Sequence, residues 1–516
     1  MRLQNPARNV GSPELSDTDT HWGGFFGPPI HSRHGNLMIE HNDRENVQRK
    51  TKTVVTIGPA SAASETLRQL MAAGMDVARI NSSHASLEEM TDLVPRLREV
   101  EKQAGSMLCI LLDLSGPKIR VDNIPPEGTM LTDGDEFTLG SDSKADVRIR
   151  PQIGFQGVED RARVMLDDGR IELQVLTRES SSRLRVRVTF GGKLRANKGV
   201  NFPGVALAVP SLTSADKDFL RHGLALGVDW VALSFVRSPD DRKPIDAIFS
   251  AAGKQLPVMA KIEKPEAVAR LEEIVQAFDG IMVARGDLGV EMPLEEVPHI
   301  QKKIIRACNS VGKPVVTATQ LLDSMISSPA PTRAEVNDVA NAIYDGTDAL
   351  MLSNETAVGS YAVKAVQTLS TIALATERET VGTMGRRRVD YSLLGVGASI
   401  SHAASTIARE REIPVVVTMT HSGNTARHVA RYRPKSRIVA LSPHLSTCRQ
   451  LQLSWGVTPV HVESYRSTDE MLAESEKLLL AKGFVRPGEY FVLTAGVPIG
   501  QSGTTNLLKV QKVGAG

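Results

Sequence analysis

From about residue 52 the chain repeats one rhythm: a short, largely β-branched apolar run, then a stretch with apolar positions every three or four residues. The runs TVVTI, MDVARI, MLCILLDL, DWVALSF, PVMAKI, DGIMVA, KPVVTA and DALMLS predict eight strands, too uniformly apolar to keep one face in water. Between most of them lie amphipathic segments such as SETLRQLMAAG, PLEEVPHIQKKIIRACNSVG and RAEVNDVANAIYDG. Acids stand early in these segments and glycine late, as helix ends favour. Eight βα units in series predict an α/β fold built on a closed (β/α)8 TIM barrel.

Two stretches break the rhythm. After the third run, residues 121–205 change to GTMLTDGDEFTLG and SSRLRVRVTFGGKL, which alternate polar with apolar and turn at Gly and Asp. They predict an inserted, β-barrel-like domain. An insertion in a βα loop lies over the C-terminal mouth of the barrel, where sites on this fold are found, and so is expected to act as a mobile lid. From about residue 385, ASISHAASTIAREREI and PVVVTMTHSGNTARHVARYRPKSRIVALSP begin afresh as helix, strand, polar loop, helix and strand, a separate α/β domain. The expected organisation is a polar extension at 1–48 with no assigned function, a barrel from 49–120 and 206–384, a lid at 121–205 and a C-terminal domain at 385–516.

Charge narrows the partners. Lys and Arg number 61 against 59 acids, a formal charge of +2, so no general field draws nucleic acid or a membrane surface, and any anion must be bound locally. Cys109, Cys308 and Cys448 form no CxxC pair, which argues against a disulfide framework or a zinc knuckle and for a reducing cytoplasm. No segment approaches the roughly 18–20 apolar residues of a membrane span.

The candidate chemistry lies where the strands end. Residues two apart on a strand share a face, so Lys261 and Glu263 project together at the end of the fifth strand. Asp287 follows the sixth strand and an Arg-Gly pair, at a turn whose backbone N–H groups open a helix and favour an anion. Mg²⁺ is typically held by one or two carboxylates plus substrate oxygens and waters, so Glu263 with Asp287 suffices. Without a ligand, Lys261 would simply pair with one of these acids. Other strand ends add to the set: Arg79, Asn81, Ser83 and His84 after the second, Asp113, Lys118 and Arg120 after the third, Ser234 at the fourth. Thr317, Thr319 and Gln320 end the seventh, and Ser353 with Glu355 the eighth. His84 and Thr317 taken singly read as well as caps or loop residues; the whole set points at one mouth.

The motifs TIGPAS, ARINSSH, DLSGPKIRV, NKGVNFPG, LSFVRS, KIEKPEA, MVARGDLGVEMP, ATQLLDSM, PTRAEVNDVANAIYDGTDALMLSNETAVGSY and TAGVPIGQSGTTNLLKV run in order from about residue 50 to the C terminus. They closely resemble the pyruvate kinase family. The resemblance implies a barrel with a lid and an effector domain, usually a homotetramer, that converts phosphoenolpyruvate and ADP to pyruvate and ATP in glycolysis. It implies that Glu263 and Asp287 hold Mg²⁺ (Mn²⁺ as a substitute), that Ala284, Arg285 and Gly286 lend backbone, and that Thr319 contacts the substrate carboxylate. Lys261 and Arg79 would neutralise the moving phosphoryl group and the enolate, and Thr319 with Ser353 would relay the proton. Pro59, His84, Arg120 and Lys198 match nucleotide positions.

Three departures stand out. Ser82 replaces a phenylalanine and so removes an aromatic packing element, and Asn354 replaces a glycine but tolerates a left-handed backbone. Potassium-dependent members carry a glutamate where this chain has Lys118, beside a cation site that corresponds to Asn81, Ser83, Asp113 and Leu114. An ammonium there can stand in for K⁺ as a fixed charge, so K⁺-independent activity is expected. In the C-terminal domain Thr420, Ser422, Gly423 and Thr425 precede a helix, which is either a simple N-cap or, as the resemblance implies, the phosphate loop for a sugar phosphate or nucleoside monophosphate activator. Two other functions fit parts of the pattern. A Mg²⁺-dependent enolate aldolase would also want paired carboxylates, but the lid and the basic segment KLRANKGVN favour a nucleotide. A regulatory paralogue without catalysis would have lost Lys261, Glu263, Asp287 or Thr319, and all four are present.

Overall fold

Each of the eight apolar runs forms a strand in the computed structural model, which describes residues 49–205, 207, 209–380, 395–498 and 505–514. The strands are β1 Lys52–Thr56, β2 Val77–Asn81, β3 Cys109–Leu114, β4 Trp230–Leu233, β5 Val258–Ile262, β6 Gly280–Ala284, β7 Val315–Ala318 and β8 Ala349–Leu352. All pair in parallel, and β8 returns to β1 with Lys52 opposite Ala349, closing the barrel. The expected extension at 1–48, the 384/385 and 205/206 boundaries and part of the TAGVPIGQSGTTNLLKV motif lie outside the described residues.

Strand alternation splits the core in two. Val54, Val77, Cys109, Leu111, Trp230, Ala232, Met259, Met282, Val316, Ala318, Ala349 and Met351 fill the barrel interior. Their neighbours in sequence, such as Val55, Ala78, Ile110, Leu112, Val231 and Ala260, pack outward beneath the helices. Both faces are therefore dry, which accounts for the unbroken apolar runs. The expected helices form as Ser64–Ala73, Val297–Val311 and Arg333–Asp345. The last is opened by a capping box of Thr332 and Glu335 and closed by Gly346 at φ 95°.

Between β3 and β4 the chain forms the β domain around its own core, including Phe137, Phe155, Leu173, Val186 and Phe202. Its first strand, Arg120–Val121, pairs antiparallel with Val147–Arg150, and its last, Val200–Asn201, pairs with Arg163–Leu166. The two ends of the insertion meet, because Val121 N–H donates to the Lys198 carbonyl at 2.9 Å. In the C-terminal domain, helix Val396–Glu410 precedes β9 Val415–Met419, β10 Arg437–Ser442, β11 Val457–His461, β12 Tyr490–Gly496 and β13 Thr505–Lys512, in the order β11-β10-β9-β12-β13. Only β13 is antiparallel to its neighbour. Among the described residues no helix is long and apolar enough to cross a membrane. All three cysteines are free and buried.

Candidate active site

The same alternation that packs the barrel interior builds its mouth. Two residues beyond an interior apolar side chain, each strand presents one more inward residue: Thr56, Arg79, Asp113, Ser234, Lys261, Ala284, Ala318 and Ser353. Six of the eight are polar, so the uppermost layer of the interior is a charged plate on an apolar floor.

The charges on this plate are tightly paired. Arg79 Nε lies 2.7 Å from Asp113 Oδ2, and its other arm donates to Thr56 Oγ1 at 2.9 Å. Lys261 Nζ lies 3.3 Å from Asp113 Oδ1 and 3.1 Å from Glu263 Oε1, and donates to Ser234 Oγ at 2.7 Å. Ser234 passes its own proton to the Leu114 carbonyl at 2.7 Å. Burial alone would lower the Lys261 pKa, but Asp113 and then Glu263 outweigh it, so the ammonium is held charged well above its ordinary range. For Asp113, burial opposes ionisation while Lys261 and Arg79 reverse the balance and keep its pKa low.

Glu263 is the exception. Its side chain is fully buried, and burial, followed after the Lys261 offset by the nearby Asp287, pushes its pKa up. Oε2 accepts the Phe235 N–H at 2.7 Å, whereas Oε1 lacks a hydrogen-bond donor despite its closeness to Lys261. An undonated carboxylate oxygen beside a second carboxylate is what a divalent cation relieves, and two acids satisfy Mg²⁺, which takes its other ligands from substrate and water. The residues thus fit a Mg²⁺ site. Among the described residues no cluster of three His, Cys, Asp or Glu forms a fuller metal cage.

Asp287 sits on helix Arg285–Glu291, directly after β6. The backbone of this turn is anchored from β7: Gly286 N–H donates to Thr319 Oγ1 at 2.7 Å, and Thr319 Oγ1 donates onward to the Ala318 carbonyl at 2.6 Å. Thr319 holds φ 69° and Gln320 φ 55°, left-handed values costly for a β-branched residue. The Arg285 side chain secures that conformation, reaching the Thr319 carbonyl at 2.7 Å and Asp338 at 2.8 Å. Its role extends beyond the backbone contribution expected from the motif. At β8, Ser353 Oγ is buried without a partner, and Glu355 turns inward to accept the Ser353 and Leu322 N–H groups.

In the expected cation region, Asn81 Oδ1 accepts the Ser83 N–H at 3.2 Å, and Lys118 Nζ lies 3.7 Å from Asp287 Oδ1. The substituted Ser82 is buried, and its hydroxyl accepts the Ser115 N–H at 2.9 Å, tying the loops after β2 and β3 together by a polar contact. The sequence offered no sign of that bond, nor of the Phe235 N–H on Glu263, since both depend on which loops adjoin.

The chain matches the family model "Pyruvate kinase, barrel domain" over residues 48–366 and "Pyruvate kinase, alpha/beta domain" over 398–511. It is 45% identical to "Pyruvate kinase 2" of Synechocystis over 90% of this chain and 80% of that protein. It is 43% identical to a Geobacillus stearothermophilus pyruvate kinase, with 90% and 81% covered, and 41% identical to that of Methylorubrum extorquens, with 90% and 97% covered. The chain belongs to the pyruvate kinase family. It is accordingly a phosphotransferase.

The residues that pyruvate kinase motifs associate with nucleotide lie on the β-domain side of the mouth or at its rim. Pro59 is exposed on the turn after β1, where Ala60 N–H donates to the Ala357 carbonyl at 3.0 Å. Burial, then Arg120, Lys118 and Arg79, hold the His84 imidazole below its usual pKa, which places those three cations in its neighbourhood. Arg120 donates to the Asn197 carbonyl at 2.8 Å, and Lys198 pairs with Asp167 at 2.7 Å, so both belong to the joint where the β domain leaves and rejoins the barrel. In the C-terminal loop, Thr420 Oγ1 accepts the Gly423 N–H at 2.9 Å, and Thr425 Oγ1 lies 2.7 Å from Thr505 Oγ1. Gly423 has φ 85° ahead of the seven-residue helix Asn424–Ala430, and Ser422 is exposed.

Proposed function

We propose that this enzyme transfers the phosphoryl group of phosphoenolpyruvate to ADP, giving pyruvate and ATP, at the plate formed by Arg79, Asp113, Lys261 and Glu263. The observation that carries this reading is Lys261 itself, a buried ammonium held charged between two carboxylates and beside the Asp287 turn. Phosphoryl transfer asks a protein for position and charge neutralisation more than for covalent chemistry. Lys261 and Arg79 supply fixed positive charge to the transferring group and the enolate oxygen. Glu263 and Asp287 hold Mg²⁺, which when bound neutralises substrate oxygens. Thr319, fixed by Gly286 and Ala318, orients the substrate carboxylate, with the backbone of Ala284, Arg285 and Gly286 lining the site. As the bond from phosphorus to the enolate oxygen breaks, phosphorus bonds a terminal oxygen of ADP; the enolate left behind must then gain a proton at carbon, and the unpartnered Ser353 hydroxyl with Thr319 supports a water relay for it. Pro59, His84, Arg120 and Lys198 receive ADP, and residues 121–205 close over it as a lid.

The finer reading is K⁺-independent turnover, supported by the Lys118 ammonium, which brings a fixed positive charge to within 3.7 Å of Asp287 Oδ1. Residues 385–516 form a regulatory domain in which Thr420, Ser422, Gly423 and Thr425 take the phosphate of a sugar phosphate or nucleoside monophosphate, and the assembly is a cytoplasmic homotetramer. The deciding experiment is initial pyruvate formation from phosphoenolpyruvate, ADP and Mg²⁺ in buffer free of K⁺ and Na⁺, repeated with KCl and with a panel of phosphorylated metabolites. Full rate without K⁺ is expected. Strong activation by KCl over a bulky organic cation would overturn the reading of Lys118, and an unchanged half-saturation across the panel would overturn that of the loop.

A further inference from the structure

One buried carboxylate outside the plate joins three parts of the machinery. Glu291 ends the helix that carries Asp287, and its side chain is almost wholly buried. Its Oε1 accepts the Asn201 amide at 2.7 Å and lies 2.6 Å from Lys264 Nζ. Asn201 belongs to the strand by which the β domain returns to the barrel, three residues after Lys198. Lys264 follows Glu263 directly, and its ammonium stands 5.9 Å from the ring centre of Phe235, whose N–H binds Glu263. Glu291 Oε2 is buried and has no hydrogen-bond partner, so the contact rests on one oxygen shared by two donors. Simple packing of a helix end does not call for a charge here. An apolar residue would fill the space without the desolvation cost that a buried carboxylate carries.

We propose that Glu291 is a positioning residue that latches the return strand of the β domain, through Asn201, to both halves of the metal pair, through Lys264 and its own helix. This rests on the assignment of Lys198 to the nucleotide and of Glu263 and Asp287 to the metal. Movement of the lid strand then alters the setting of the Asp287 helix, and the charge of Glu291 keeps the Lys264 ammonium from turning toward Glu263 and competing with the cation.

The test uses the full-length enzyme and four variants, with Michaelis constants for each substrate, thermal midpoints, and Mn²⁺ affinity measured by electron paramagnetic resonance without substrates. Asn201→Ala is expected to raise the KM for ADP about ten- to hundredfold, the worth of one hydrogen bond to a charged group, while the KM for phosphoenolpyruvate is little changed. Glu291→Gln is expected to weaken Mn²⁺ binding about tenfold, and Glu291→Gln with Lys264→Gln to restore it, since no ammonium is then left to compete. A purely structural Glu291 would instead lower the thermal midpoint in both Glu291 variants without recovery of Mn²⁺ affinity, and that result overturns the proposal. Lys198→Met separates the layers. If it raises the KM for ADP and Asn201→Ala does not, the latch is wrong. If Lys198→Met leaves that KM unchanged, the nucleotide assignment is wrong, and the Mn²⁺ recovery alone decides the latch. Should Asn201→Ala fail to fold, Asn201→Ser gives the same readout.

Discussion

Replacing Lys261 by methionine removes the central cation of the plate and keeps most of its volume. Asp113 retains Arg79 at 2.7 Å, but Glu263 is left with the Phe235 N–H as its hydrogen-bond donor and Asp287 nearby. An unpaired buried carboxylate costs about 3–5 kcal/mol, and Glu263 escapes it by taking a proton, toward which its burial and then Asp287 already push it. From an unfolded carboxyl pKa of about 4.3, holding that proton at pH 7 costs roughly 3.7 kcal/mol, falling by about 1.4 kcal/mol for each pH unit downward. The folded variant then binds more protons than its unfolded chain, so its stability falls as pH rises above the ordinary carboxylate range. Thermal unfolding of the two enzymes from pH 6 to pH 8 should show a gap that widens with pH, by about 2.7 kcal/mol if Glu263 stays protonated in the folded variant throughout. In pyruvate formation, loss of preorganised charge at the transferring group should lower kcat about 10²–10³-fold, or roughly 3–4 kcal/mol. A kcat within tenfold of the parent would refute the role given to Lys261. A gap independent of pH would refute the proton on Glu263.

Three further outcomes follow from particular contacts. Thr319→Ser keeps the acceptor for Gly286 N–H and should retain most activity, whereas Thr319→Gly relieves about 1–3 kcal/mol of left-handed strain, so its thermal midpoint should hold or rise while kcat falls. Gly58→Ala would put a Cβ 2.6 Å from the Ala357 carbonyl and 2.9 Å from its Cα, an approach only backbone movement can relieve. It should destabilise by about 1–3 kcal/mol and raise the KM for ADP through the adjoining Pro59. Lys118→Glu should make turnover depend on added K⁺, because it sets a second carboxylate against Asp287 where an ammonium stands at 3.7 Å; a KCl titration of the initial rate measures this, and a rate indifferent to K⁺ would sink the substitution argument.

Much of the architecture was legible along the chain because it rests on short-range periodicity. Alternation at period two decided that Arg79, Asp113, Lys261 and Ser353 face inward, since each stands two residues beyond an interior apolar side chain, and eight such runs in series implied closure. Lys261 and Glu263 were visible for the same reason, as charges at the end of an apolar run. What the sequence could not settle is which partners meet. Asp113 bridges Arg79 and Lys261 across strands far apart in the chain, and Lys118 comes to Asp287. Glu291 meets Asn201 of the inserted domain, although no motif marks either as a pair. The left-handed backbone of Thr319 runs against its intrinsic preference and is held by Arg285 from the neighbouring strand end. Local propensity sets which way a side chain points, but the pairing of charges, and hence each group's protonation, depends on barrel closure and on how the inserted domain's joint seats against the mouth, and these arise only when distant segments pack.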